Sequence, residues 1–142
     1  MKITFNEKEY SIKFGYKATV KSGIIKKIAK AESDKDHEDG FESVEGILLV
    51  LPELLVVGLQ VHHADEFGYD IDTNEGYDDK VNKAFDFIDK WAENKENDIF
   101  ALYNNLEQEL VDDSFLSSLF QRAIAEEQKA EETKQKKSTK KN

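Results

Sequence analysis

The segment from Ile47 to Leu59 constrains this chain most, because its thirteen residues are apolar apart from Pro52, Glu53 and Gly58. It is well short of the ~20 residues needed to cross a bilayer. A stretch that is apolar nearly all round must instead be covered by protein, as the centre of a core or as a subunit interface. Val44, Ile47, Leu48 and Leu51 suit a short helix, and Pro52 fits the first turn of a second one, where its missing N–H costs little. That second helix would carry Leu54, Leu55, Val57, Gly58 and Val61. The length, 142 residues, suits one domain. Folding at this size buries roughly two-thirds of the unfolded chain's surface, so a core can form without cross-links.

Upstream, Ile3, Phe5, Tyr10, Ile12 and Phe14 alternate with polar residues on either side of a polar turn from Asn6 to Glu9. That period of two predicts a β-hairpin over residues 1–15, although no Asn-Gly pair specifies the turn type. From Tyr16 onward, Val20, Ile24, Ile28 and Ala31 recur at spacings of four, four and three, one face of a helix. Glu32 to Gly40 has no apolar residue and reads as a solvated loop, after which Phe41 restarts the core pattern; Asp65 to Gly76 reads as a second, acidic loop.

Three amphipathic helices should follow, carried by Val81, Ala84, Phe85, Ile88 and Trp91 or Ala92, then by Ile99, Tyr103, Leu106 and Leu110, then by Phe115, Leu116, Leu119, Phe120, Ala123 and Ile124. No Gly or Pro occurs after Gly76, so the usual helix breakers are missing from the second half. Residues 126–142 should be a short helical extension and a flexible Lys-rich tail, too polar to order itself. The expected fold is α+β and mainly α-helical: one domain over 1–125, with a hairpin at 1–15 and about five to six helices over 16–125.

The chain has no cysteine, which excludes disulfides, Cys-based metal sites and thiol nucleophiles and fits a reducing compartment. Polar residues follow Phe5 directly, without an apolar leader, so the expected location is the cytoplasm. The net charge is −10; residues 1–125 hold 14 Lys+Arg against 26 Asp+Glu, while residues 126–142 hold 6 against 4. An acidic body opposes a phosphate backbone, so neither nucleic acid nor membrane is an expected partner.

Asp70, Asp72 and Asn74 match the first half of a calcium-binding EF-hand loop. The sixth position, which needs Gly, is Glu75, and the twelfth, which should supply a bidentate Glu, is Val81. An acidic connecting loop is the better reading. Adjacent His62 and His63 would point about 100° apart on a helix and do not face one ion together. Paired carboxylates recur throughout, and no nucleophile elbow, P-loop or dinucleotide fingerprint is present, so no catalytic, cofactor or metal residue is assigned and no enzyme is expected. On the helix after Gly76, Phe85, Ile88 and Ala92 are expected to face the core and Phe87 to be the odd one out. An exposed Phe87 or Trp91 would be an anchor for a protein partner.

The order of segments resembles the tail assembly chaperones of long-tailed phages and prophages of Gram-positive bacteria. The resemblance rests on the hairpin KITFNEKEYSIKFGY, the apolar helix LPELLVVGLQVHHAD, the aromatic acidic helix DKVNKAFDFIDKWAEN, the helix IFALYNNLEQELVDDSFL and the Lys-rich end. It covers residues 1–125 and involves patterns of type and spacing, with no catalytic signature. The resemblance implies a protein that coats the tape-measure protein, keeps it soluble until tail-tube protein polymerises around it, self-associates and is absent from the mature virion. It also implies that a longer frameshifted form can exist, with which the lysines at Lys136-Lys137 and Lys140-Lys141 are compatible. Leu54, Leu55, Val57, Val61, Phe87 and Trp91 are the apolar candidates for the partner contact. Two alternatives stand beside it. One is an acidic DNA-mimic or anti-defence inhibitor, from the 15 Asp+Glu against one Lys between Ala31 and Asp79; the other is a calcium-regulated module built on Asp70, Asp72 and Asn74.

Overall fold

A computed structural model describes residues 1–33, 40–119 and 122, without the side chains of residues 33 and 40–43. The chain opens with strands β1 (Lys2–Phe5) and β2 (Lys8–Ser11), paired antiparallel with Ile3 opposite Tyr10 and Phe5 opposite Lys8. Lys8 and Glu9, expected in the turn, belong to β2. The turn is only Asn6-Glu7, with φ of 50° and 64°, the left-handed pair whose twist matches that of the flanking strands. Asn tolerates this conformation; Glu7 adopts it at a cost of roughly 1 kcal/mol. The alternation holds beyond the ladder, and Ile3, Tyr10, Ile12 and Phe14 are all buried.

Helices α1 (Tyr16–Ser22), α2 (Ile24–Ser33), α3 (Gly40–Leu59), α4 (Ala64–Phe67), α5 (Tyr77–Trp91) and α6 (Ile99–Asp112) follow, and residues 117–119 are helical again. The chain is thus a two-stranded hairpin followed by helices, α+β and mainly helical. Residues 34–39 of the first expected loop, the expected core residues Phe120, Ala123 and Ile124, and the tail from residue 126 lie outside the described residues; the side chain of Phe41 does too. Among the described residues no helix is long and apolar enough to cross a membrane.

Two helix boundaries differ from the periodicity. The face running through Val20 and Ile24 is cut at Gly23, whose φ of 71° belongs to the left-handed region that glycine enters freely. Ser22 Oγ then accepts from the Ile24 N–H and restarts the chain as α2. Ile24, Ile28 and Ala31 stay buried, whereas Val20 is left exposed. In contrast, the two helices expected around Pro52 are one, with Pro52 inside α3. An interior proline costs about 3 kcal/mol. Fully burying Leu51, Leu54, Leu55, Val56, Val57 and Leu59 contributes on the order of 10 kcal/mol. Burial wins, and the helix runs through.

Helix α3 is the centre of the molecule, packing against α1, α2, α4, α5 and α6. Its one interior carboxylate near the middle ties two of these neighbours to it: Glu53 Oε1 accepts from Lys27 Nζ of α2 at 2.7 Å and from the Tyr77 hydroxyl of α5 at 2.9 Å. Burial, with Glu53 beside it, pushes the Tyr77 hydroxyl well above the usual tyrosine range. At the far end of α3, Gly58 lets the hairpin approach: its carbonyl accepts from the Lys13 N–H at 2.9 Å. A Cβ there would stand 2.8 Å from the Ile12 Cγ2 and 3.1 Å from the Phe14 ring.

Without Gly or Pro, the later helices are separated by short polar side chains that bond the backbone. Asn97 Nδ2 donates to the Trp91 carbonyl, Asp98 Oδ1 accepts from the Phe100 and Ala101 amides at the start of α6, and Ser114 Oγ accepts from the Leu116 amide beyond its end. Helix α6 buries Leu102, Tyr103, Leu106 and Leu110. After the break, Leu116 is buried and the Phe115 ring lies 5.0 Å from that of Tyr16.

The two glycines of α3 should respond differently to a methyl group. At Gly46 the nearest atoms would be 3.7 Å away, so Gly46→Ala is expected to gain up to about 1 kcal/mol of helix propensity. Gly58→Ala gains the same propensity but overpacks the buried, β-branched Ile12, a loss of about 1–3 kcal/mol. Urea denaturation should place Gly58→Ala about 2 kcal/mol below Gly46→Ala. Equal stabilities would contradict the close packing at Gly58.

Candidate functional site

Helices α3 and α5 run in opposite directions, since Glu53 meets Tyr77 at the start of α5 while Leu48 shares a cleft with Ala92 just past its end. Between them lies an open groove of about 400 Å³. Leu48, Leu51 and Pro52 line it from α3 and Phe85 and Ile88 from α5, with Ile99 of α6. Leu51, Pro52 and Ile88 are buried, whereas Leu48 is 38% and Phe85 40% exposed. Val44, one turn before Leu48 on the same face, is also 38% exposed. The only charged lining residues are Asp86 and Asp89, both exposed and without an ion pair among the described residues. Such a trough can hold an apolar ridge of another chain.

The residues expected to make a partner contact lie elsewhere. Leu54, Leu55 and Val57 are fully buried under the chain's own elements, so this part of α3 is core. Phe87 (7% exposed) and Trp91 are buried on the inner face of α5. Val61 alone is open, at 46%, but it lies beyond the end of α3, more than two turns past Pro52. The roles expected for Phe85 and Phe87 are therefore reversed.

Angular arithmetic explains the reversal. At about 100° per residue, the buried set Tyr77, Val81, Ala84, Phe87, Ile88 and Trp91 spans an arc that puts Phe87 roughly 60° and Phe85 roughly 100° from its middle. Including Tyr77 and Trp91 as fixed points would have identified Phe85 as the outward ring. Phe87 has a structural task. Its ring centroid is 4.4 Å from Phe5, 5.3 Å from Tyr10 and 6.1 Å from Phe67, in tilted and edge-to-face arrangements that hold the hairpin and α4 to α5.

The calcium-like segment is a turn fastened to α1. Asp70 Oδ1 accepts from the Asp72 and Thr73 amides at 2.9 and 3.3 Å, and Asn74 takes a left-handed φ of 62°. Lys17, and then Lys21, hold the Asp72 carboxyl below the usual carboxylate range. His63 is equally occupied: its Nε2 accepts from the Ser11 N–H at 2.9 Å and its ring lies 4.9 Å from Tyr10. Among the described residues no group of three or more His, Asp or Glu is arranged to hold a metal ion.

Beside the aromatic cluster, Glu66 pairs with Lys8 and accepts from the Tyr10 hydroxyl at 3.0 Å. The Lys8 ammonium first, and the Tyr10 hydroxyl after it, hold the Glu66 carboxyl below its ordinary value of 4.5. A depressed carboxylate contributes stability above its unfolded pKa, and that contribution is lost as pH falls through the folded value. Glu66→Gln should therefore lower the urea midpoint at pH 7, with the difference from the parent shrinking as pH drops below about 4.5. A difference that persists unchanged at pH 3 would show that charge is not its source.

No protein-family model matches this chain, and no curated protein or solved structure matches it either.

Proposed function

We propose that this protein is a non-enzymatic assembly chaperone that binds the tape-measure protein of a long-tailed phage or prophage. It keeps that helical chain soluble in the bacterial cytoplasm while tail-tube protein polymerises, works as a homo-oligomer and leaves before the virion is complete. The observation that carries this reading is the open apolar groove between α3 and α5, with Leu48 and Phe85 bared at its edges in a chain of net charge −10. A chaperone for a helical client needs apolar surface to lie against the client's stripe and a charged exterior to keep the complex in solution. It also has to let go. An open trough with a few half-exposed anchors favours fast release over the long residence of an enclosed pocket.

The alternative, imitation of a phosphate track by acidic side chains, has less support. Glu53, Glu66 and Asp72, all within the acid-rich stretch from Ala31 to Asp79, are paired with Lys27, Lys8, and Lys17 and Lys21. Their charges are engaged within the fold.

Co-expression with segments of a tape-measure protein from the same genome should leave at least one segment soluble and co-purifying, where the same segment alone aggregates. Aggregation of every segment to the same extent with and without this protein would contradict the chaperone reading. Competition with duplex DNA for a nuclease or repressor would then support the alternative.

A further inference from the structure

We propose that the groove between α3 and α5 is a docking site for one amphipathic α-helix whose apolar stripe is flanked by Lys or Arg side chains. The inference rests on the chaperone reading and specifies what the client must present.

Shape sets the first requirement. Val44, Leu48 and Leu51 stand at i, i+4 and i+7 on α3, and Phe85, Ile88 and Ala92 at i, i+3 and i+7 on α5. Each row is about 10 Å long. Of these, Leu51 and Ile88 are buried and form the floor, while Val44, Leu48 and Phe85 remain bare. Two antiparallel helices with such rows accept the ridge of a third, so the occupant offers two to three turns with anchors at i, i+3 or i+4, and i+7.

Charge sets the second requirement. The charged lining residues, Asp86 and Asp89, are exposed, of one sign and without an ion pair among the described residues. They are one helical turn apart on α5, on the solvent side of the apolar row. The body of a second copy, residues 1–125 with 14 Lys+Arg against 26 Asp+Glu, would bring more negative charge against them, and like charges across an interface are unfavourable. A helix with basic flanks satisfies both carboxylates while its stripe covers Leu48 and Phe85.

The test uses the full-length protein and two fluorescent synthetic helices of about five turns. Both carry Leu at alternating spacings of three and four; one is flanked by Lys and the other by Glu. Anisotropy titrations should show the Lys peptide binding severalfold to about tenfold more tightly, as two favourable rim pairs would give, with the preference shrinking in high salt. Asp86→Lys combined with Asp89→Lys should reverse that preference, and Phe85→Gln should weaken both peptides severalfold. These positions are exposed, and unchanged Trp91 emission and urea midpoints will identify variants that keep the fold. Val61→Gln, away from the groove, should bind like the parent.

Equal affinity for the two peptides, or groove variants that bind like the parent, would overturn the proposal. So would self-association abolished by Phe85→Gln, which would assign the groove to a second copy. If tape-measure segments remain soluble with every groove variant, the groove assignment fails and the chaperone reading survives. If the Lys peptide binds as expected but no tape-measure segment is held, the groove assignment survives and that client is wrong.

Discussion

Covering α3 is the task on which the rest of the structure depends. Over most of its second half the helix offers no polar face, so no arrangement that leaves it in water is stable. Helices α2 and α5 cover two sides and the exit of the hairpin covers its far end, where Gly58 admits Ile12 and Phe14. Glu53 is the one carboxylate within the apolar run, and it is satisfied by Lys27 and Tyr77 from the two covering helices. Pro52 is tolerated inside the helix for the same reason: the burial around it outweighs the missing backbone bond.

That covering is incomplete in the first half of α3, where Val44, Leu48 and Leu49 are exposed. Around Leu48 the inner face of α5 supplies Ile88, but Phe85 turns outward and Ile99 contributes only from the start of α6. The outcome is an apolar trough set in an acidic surface, the combination that the proposed docking of a basic-flanked helix requires. The same helix thus serves both: its second half is buried in the core, and its first half is partly bared along the groove.

Local rules in the sequence carried the hairpin, the buried face of α6 and the predominance of helix. Ile3, Tyr10, Ile12 and Phe14 alternate cleanly, and Tyr103, Leu106 and Leu110 keep a helical period. Where the reading departed from the structure, tertiary forces or backbone conformation decided. The spacing of Val20 and Ile24 continues across Gly23, so periodicity is blind to the left-handed break there. A proline normally marks a helix start, yet the packing around Pro52 overrides that signal. Phe85 and Phe87 differ by only two residues, and which of them faces inward depends on where Tyr77 and Trp91 fix the arc. The groove was the least legible feature, since it is made by the exposed edges of two helices whose antiparallel packing no local pattern encodes. Leu54, Leu55 and Val57, expected at a partner contact, are apolar enough to bind another chain and, for that same reason, are buried in the core.

The most direct measurement is site-specific photocrosslinking in cells that express the protein together with the proposed client, a tape-measure protein from the same genome. Benzoylphenylalanine would replace Phe85 in the groove or, as the control, Val61 just beyond the C-terminal end of α3. An adduct with the tape-measure protein from position 85 and none from position 61 is the expected result. Adducts from position 61 alone, or equally from both, would contradict the assignment of the α3–α5 groove as the surface that holds the client.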